Sequence, residues 1–266
     1  PNYKWNSAYD LFWKDKHTHI DVYGYYPYAN PESIEDYQFE VQKDQSTATE
    51  DGEMGGYEAS DFLWGKVSDV APTTSIIRLP LAHRMSNARV TLIQGSGFAD
   101  GEWAKTKKIV LTANVARKAS INLSTGEIKT AGSVENNMTI PSRTNDEWRT
   151  IVVPQTVAAG RTLFSITIGG VPYKFTKNEA LTYVAGKMMN FGIKVDKQTG
   201  SGTYKLTLVS ESITPWENDL VSHDATAKEY VVINSTKGHL KDAIIAANKD
   251  YTKLKNLKIT GEIGPT

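Results

Sequence analysis

From about Ile20 to Val209 apolar and polar side chains alternate at every second residue, the period of strands with one face buried. Phe164, Ile166 and Ile168 fall on one face, with Leu163, Ser165 and Thr167 on the other; Tyr204, Leu206 and Leu208 oppose Lys205 and Thr207. The same alternation predicts strands over 19–26, 37–42, 76–81, 87–93, 107–114, 150–153, 171–175 and 190–196. Clusters such as Gly95-Ser96-Gly97, Ser124-Thr125-Gly126 and Thr199-Gly200-Ser201-Gly202 separate them as turns. Gly169-Gly170 reads as a tight hairpin, and 43–60, rich in Asp, Glu, Gly, Ser and Thr, as a long surface loop. Short strands at these intervals, without strand-then-helix alternation, predict an all-β protein of antiparallel sandwiches.

After Trp216 the pattern changes. Thr236 is placed to cap a helix whose Leu240, Ala243, Ile244 and Ala247 form one apolar stripe, with Asn248 as its stop. The run Leu254-Lys255-Asn256-Leu257-Lys258-Ile259 resembles the core of a leucine-rich repeat. One such unit cannot bury its own face, so the tail is expected either to dock on a sandwich or to be followed by further repeats, and the second is favoured.

Five stretches occur in a characteristic order: Tyr23-Gly24-Tyr25-Tyr26-Pro27-Tyr28, Asp61-Phe62-Leu63-Trp64-Gly65, Leu79-Pro80-Leu81-Ala82-His83-Arg84-Met85-Ser86, Val153-Pro154-Gln155-Thr156, and Ile213-Thr214-Pro215-Trp216. Together they resemble the fimbrillin-like proteins of Bacteroides-type bacteria, from about Trp5 to Trp216, with Leu81 standing where that family usually has an aromatic residue. The resemblance implies two transthyretin-like, fimbrillin-type sandwiches, at 1–86 and 87–216, followed by a short α/β extension at 217–266. It further implies a non-enzymatic cell-surface adhesion or fimbrial protein, at the outer membrane or fimbrium of a Gram-negative bacterium, and a lipoprotein precursor with an outer-membrane lipid anchor. The partners implied are other fimbrial subunits or host and bacterial surface ligands, and assembly would proceed by strand addition. The segments that could be donated are the stretch before Ile20 and Glu229-Tyr230-Val231-Val232-Ile233. The alternative is a monomeric module that binds glycans or host proteins.

Length and charge narrow the classes. A chain of 266 residues suits two domains better than one. Lys+Arg and Asp+Glu are both 30, so no excess of positive charge is available for phosphates and nucleic acid is not an expected partner. There is no cysteine, which removes disulfides, thiolate nucleophiles and cysteine zinc sites. The start, Pro1-Asn2-Tyr3-Lys4-Trp5, lacks the charged and apolar regions of a signal peptide and reads as a mature or trimmed chain.

Candidate chemistry is sparse. His17, His19 and Asp21 are the best metal-ligand pattern, yet they read more simply as a solvated strand edge, and no cofactor or metal is expected. His83 reads as a structural histidine in an apolar strand. Glu35-Asp36, Glu50-Asp51 and Asp146-Glu147 read as solubilising pairs, because adjacent carboxylates point apart and a glycosidase needs two facing across a cleft. Nucleophile elbows, phosphate loops and zinc-protease helices are absent from the sequence. The aromatic concentration near the N-terminus supplies the candidate ligand or interface residues, Trp13, Tyr23, Tyr25 and Tyr28. On 20–26, either the face with Ile20, Val22, Gly24 and Tyr26 or the face with Asp21, Tyr23 and Tyr25 must be buried.

Overall fold

A computed structural model of the chain describes residues 12–48, 54–106, 110–141, 144, 146–216, 231–235, 239–246 and 257–261. The chain forms two compact units, Pro1–Trp216 and Glu217–Thr266. In the first, the elements run β1 (Ile20–Tyr26), β2 (Tyr37–Glu40), α1 (Gly56–Ala59), β3 (Leu63–Val70), β4 (Ala82–His83), β5 (Ser86–Gln94), α2 (Glu102–Lys105), β6 (Val110–Asn122) and β7 (Glu127–Thr139). They continue with β8 (Glu147–Val152), β9 (Gln155–Val157), β10 (Thr162–Ile168), β11 (Val171–Thr176), β12 (Leu181–Tyr183), β13 (Lys187–Lys197) and β14 (Tyr204–Pro215).

Two of the sheets carry most of the core. One has the order β14-β13-β5-β8; the other runs β11-β10-β6-β2, with β7 also on β6. Alternation decides which side chains meet between them. Ala88, Val90 and Leu92 of β5 and Phe191, Ile193 and Val195 of β13 are buried in one cluster with Val115 of β6 and Phe164, Ile166 and Ile168 of β10. Phe164 meets Phe191 edge to face, with ring centroids 5.3 Å apart. Phe39 and Val41, around β2, and Phe62, before β3, belong to the same cluster. A smaller sheet, β1-β3-β4, and the pair β12-β9 complete the unit.

The expected hairpin is present. The Gly169-Gly170 hairpin joins β10 to β11 with Ile168 opposite Val171, and both glycines take positive φ, 59° and 82°, which a two-residue turn of this hand requires. Three expectations are corrected. Residues 76–81 form no strand: Pro80 cannot donate to a ladder, Ile76 is exposed, and regular pairing begins only at Ala82. The core sheet is not purely antiparallel, because β13 runs parallel to β5 from Met188 beside Asn87 to Val195 beside Gln94. The crossover that parallel strands need is supplied by β6 to β12, which run through the other sheets and through β8 at the edge of this one, so no helix is required. Lastly, 43–60 is not simply a surface loop, since Gln45, Gly55, Gly56 and Ser60 are buried.

In the second unit, β15 (Val231–Ser235) and β16 (Leu257–Gly261) pair in parallel around α3 (Leu240–Ala246), whose Ile244 is buried. Thr236, Ala247, Asn248, Leu254, Lys255 and Asn256 lie outside the described residues. Of the proposed donor segment Glu229–Ile233, Val231, Val232 and Ile233 are already laddered to β16, so donation would first have to break that pairing. No helix among the described residues is long and apolar enough to cross a membrane.

Candidate functional site: a junction of aromatic, histidine and glutamine contacts

Four of the five ordered stretches, all but Val153-Pro154-Gln155-Thr156, meet at β3 and β4. Asp61 lies two residues before the start of β3 and His83 ends β4; the two strands pair with Leu63 opposite His83. That pairing brings His83 Nδ1 within 2.8 Å of Asp61 Oδ1, with both side chains mostly shielded. On the imidazole lies the indole of Trp216, centroid to centroid 4.0 Å and 8° from parallel. Trp216 is held there by its backbone N–H, which donates to the Gly186 carbonyl, while the Gly186 N–H donates to the Met85 carbonyl. His83 is thus a structural clamp between the start of β3 and the end of β14.

One residue along, Trp64 Nε1 donates to the Leu123 carbonyl at 2.7 Å, and the Arg84 guanidinium lies 5.4 Å from the Trp64 ring centre while donating to the Gly126 carbonyl. These contacts fasten the β6–β7 turn to the small sheet. Gly24 and Gly65 are directly paired across β1 and β3. A Cβ on Gly65 would sit 2.0 Å from the Pro80 carbonyl oxygen, and one on Gly24 would sit 2.5 Å from Leu79 Cδ2. The two glycines leave the space in which 79–81 lies on the sheet, and this seat gives 76–81 a place without a ladder.

Two glutamines act as single strand residues. Gln155, in the Val153-Pro154-Gln155-Thr156 stretch, accepts from the Ala116 N–H and donates to the Ala116 carbonyl, both at 2.9 Å. It thereby completes β6 between the segments that pair with β10 and β2. Gln45 does the same for β8. Its Oε1 accepts from the Ile151 N–H at 2.8 Å and from Thr150 Oγ1 at 3.0 Å, and its Nε2 donates to the Ile151 carbonyl at 2.8 Å. A buried carboxamide offers one acceptor and two donors, which is what an unpaired peptide unit lacks. Sequence reading missed Gln45 because nothing in a polar segment marks one glutamine as buried.

The candidate aromatics differ in exposure. Tyr25 packs on Tyr37 and Phe62, at 6.0 and 6.1 Å between centroids, and its hydroxyl donates to the Ala29 carbonyl. Burial pushes the Tyr25 and Tyr37 phenols up. Tyr23 also packs against the core, Trp13 Nε1 donates to the Thr73 carbonyl at 3.0 Å, and Tyr28 stands in solvent at 89% exposure. On β1, then, Tyr23 and Tyr25 take the more sheltered face, while Ile20 and Tyr26 are exposed.

The polar candidates are engaged locally. His19 Nδ1 meets Asp69 at 2.7 Å and Asp21 meets Lys66 at 2.8 Å, whereas Asp15 accepts from the backbones of His17 and Thr18. Among the described residues no three His, Asp or Glu side chains are grouped to hold a metal ion. Asp36 accepts from Gln38 and Ser120; Asp146 accepts from Trp103 Nε1; Glu147 pairs with Arg149. Glu50 and Asp51 lie outside the described residues. Tyr183 is the one large buried phenol whose hydroxyl has no partner among the described residues, and burial raises it far above the usual tyrosine range.

A family model described as fimbrillin-like matches residues 2–216. Among solved structures, a proposed cell adhesion protein from Bacteroides uniformis is similar at TM-score 0.55 and 16% identity, over 76% of this chain and 74% of that one. Another from Bacteroides ovatus is similar at TM-score 0.54 and 15% identity, over 77% and 70%. At such identities these two establish likeness of fold. No curated protein matches the chain in sequence.

Proposed function

Because the chain belongs to the fimbrillin-like family, we propose that it is a non-enzymatic cell-surface adhesion or fimbrial protein that assembles by strand addition between subunits. The observation that carries this reading is the family match itself, which ends at Trp216, the last residue of the first unit. Within this reading residues 1–86 and 87–216 are the two fimbrillin-type sandwiches, and β2 is the strand that crosses from the first to pair with β6 of the second. An outer-membrane lipid anchor in the precursor and other fimbrial subunits as partners belong to the same proposal.

The stretch before Ile20 is the donor or displaced segment we favour, since Val231–Ile233 is committed to β16. Supporting strand addition, β14 is a twelve-residue strand with a neighbour on one side only among the described residues, and its last seven residues are exposed. Backbone hydrogen bonds along such an edge supply affinity, and alternate side chains supply register. For the tail, the leucine-rich-repeat reading is supported by the parallel pairing of Val231 with Leu257 around one helix, a one-strand, one-helix step.

Size-exclusion chromatography with light scattering, before and after mild trypsin treatment that trims residues ahead of Ile20, tests the assembly. Ladders or filaments after trimming are the expected result. A monomer under both conditions would remove strand addition and leave a stand-alone adhesion module.

A further inference from the structure

We propose that the outer face of the four-stranded sheet binds a carboxylated sugar, with the Arg89 guanidinium taking the carboxylate. In register across that sheet lie Arg149 of β8, Arg89 of β5, Asn190 of β13 and Ser212 of β14. Ala88 and Val90, on either side of Arg89, are fully buried in the core, so Arg89 projects from the opposite face. Arg149 stands directly across from it, and like charges in that position are destabilising. The nearby carboxylate is already engaged: Glu147 Oε1 is 2.7 Å from Arg149 Nε. No hydrogen bond or ion pair from any described residue reaches the Arg89 side chain, although the residue is half-buried. Lys194, farther along the same face, has Asp196 at 3.4 Å. The unbalanced charge in this row is therefore that of Arg89, and a guanidinium fork matches a carboxylate in shape as well as sign.

The rest of the face selects the ligand class. Beside Arg89, Asn190 Nδ2 lies 3.3 Å from Ser212 Oγ and 3.2 Å from Thr214 Oγ1, and Ser210, Ser212 and Thr214 are exposed. Amide and hydroxyl groups along β13 and β14 suit the hydroxyls of a sugar ring. An acidic peptide also has a carboxylate, but the residues beside Arg89 offer its apolar side chains amide and hydroxyl groups rather than apolar ones. The inference deepens the adhesion reading by naming a ligand and rests on it for the sugar being met outside the cell; it does not depend on strand addition.

Isothermal titration of the full chain with trigalacturonate tests it, with the methyl-esterified trimer and hexa-aspartate as comparisons. Binding of the free acid is expected, weakening as salt rises from about 0.05 to about 0.5 M because the contact is charged and near the surface. Arg89→Gln is expected to weaken it about tenfold or more, the loss of one charge-assisted contact. Should Arg89→Gln fail to fold, Ser212→Tyr, which covers the face from an exposed position, is expected to reduce binding equally. No binding, unchanged binding in the variant that folds, equal binding of the ester, or tighter binding of hexa-aspartate would each overturn the site. The titration reads the site whether or not chains polymerise, so its failure is distinct from failure of the chromatographic test.

Discussion

His83 and Trp216 stack nearly parallel at 4.0 Å, joining the end of β4 to the end of β14. Asp61 holds the imidazole at its edge through Nδ1. The three side chains are a single mechanical unit, because the Asp61–His83 hydrogen bond orients the ring on which the indole lies.

Their contributions are therefore expected to be coupled. In urea unfolding, Trp216→Ala and His83→Ala are each predicted to destabilise the first unit by about 1–3 kcal/mol, the range for losing an aromatic pair together with its packing. The double variant is predicted to cost less than the sum by about 0.5–1.5 kcal/mol. Strict additivity would mean that the stack carries no energy of its own.

Gly65→Ala and Gly24→Ala are predicted to differ although the residues are paired. At Gly65 the new methyl would press on the Pro80 backbone, with the carbonyl oxygen at 2.0 Å and the carbonyl carbon at 2.8 Å. At Gly24 it would meet the end of a leucine side chain, which can turn away. Gly65→Ala is expected to cost about 1–3 kcal/mol and to speed proteolysis within 71–81, with Gly24→Ala well below it. Equal effects would show that 79–81 is not seated on the glycine pair.

Gln155→Ala and Gln45→Ala each strip partners from a backbone unit inside the fold. Each loss is expected to cost about 1–3 kcal/mol per unsatisfied group. Hydrogen exchange should report it locally, with protection falling at Ala116 in the first variant and at Ile151 in the second. Gln155→Glu is expected to destabilise too, since a carboxylate cannot donate to the Ala116 carbonyl, but it keeps an acceptor for the Ala116 N–H. Unchanged exchange at both amides would remove the clip interpretation.

Stability is expected to fall at both ends of the pH range. Hydrogen bonds from Ser46 to Asp44, from Ser96 to Asp196 and from Lys197 to Glu102 hold these carboxyls below their ordinary 3.8 and 4.5. Their contribution is present above those ordinary values and is lost as pH falls through the lower folded ones, so the acid limb should begin near pH 4. Burial raises Tyr183, Tyr37 and Tyr25 above 10.0, so their contribution is present below that value and is lost as pH rises beyond it. In an ultraviolet titration, part of the tyrosine signal should stay unionised until unfolding and then appear cooperatively. A smooth titration of all 13 tyrosines as exposed phenols would refute the buried assignment.

Alternation along 164–168, 190–196 and 204–208, and glycine at 169 and 170, were sufficient to place strands, faces and a hairpin, because period and turn chemistry are local properties. The family resemblance was legible in the same way, as an order of short stretches. Local pattern could not reveal what those stretches meet. Asp61, His83 and Trp216 are three unremarkable residues until β3, β4 and β14 bring them within contact. Gln45 reads as solvated until the Ile151 backbone stands in front of it, and 76–81 reads as a strand until Pro80 and the space above Gly24 and Gly65 offer it another place. Arg89 reads as one surface cation among thirty basic residues until pairing of β5 with β8 sets Arg149 opposite it. Sequence by itself determined the alternation, the turns and the kinship, since each is written in neighbouring residues. Tertiary structure decided the parallel pairing, the clamps and the charged row, since each depends on which distant strands are brought side by side.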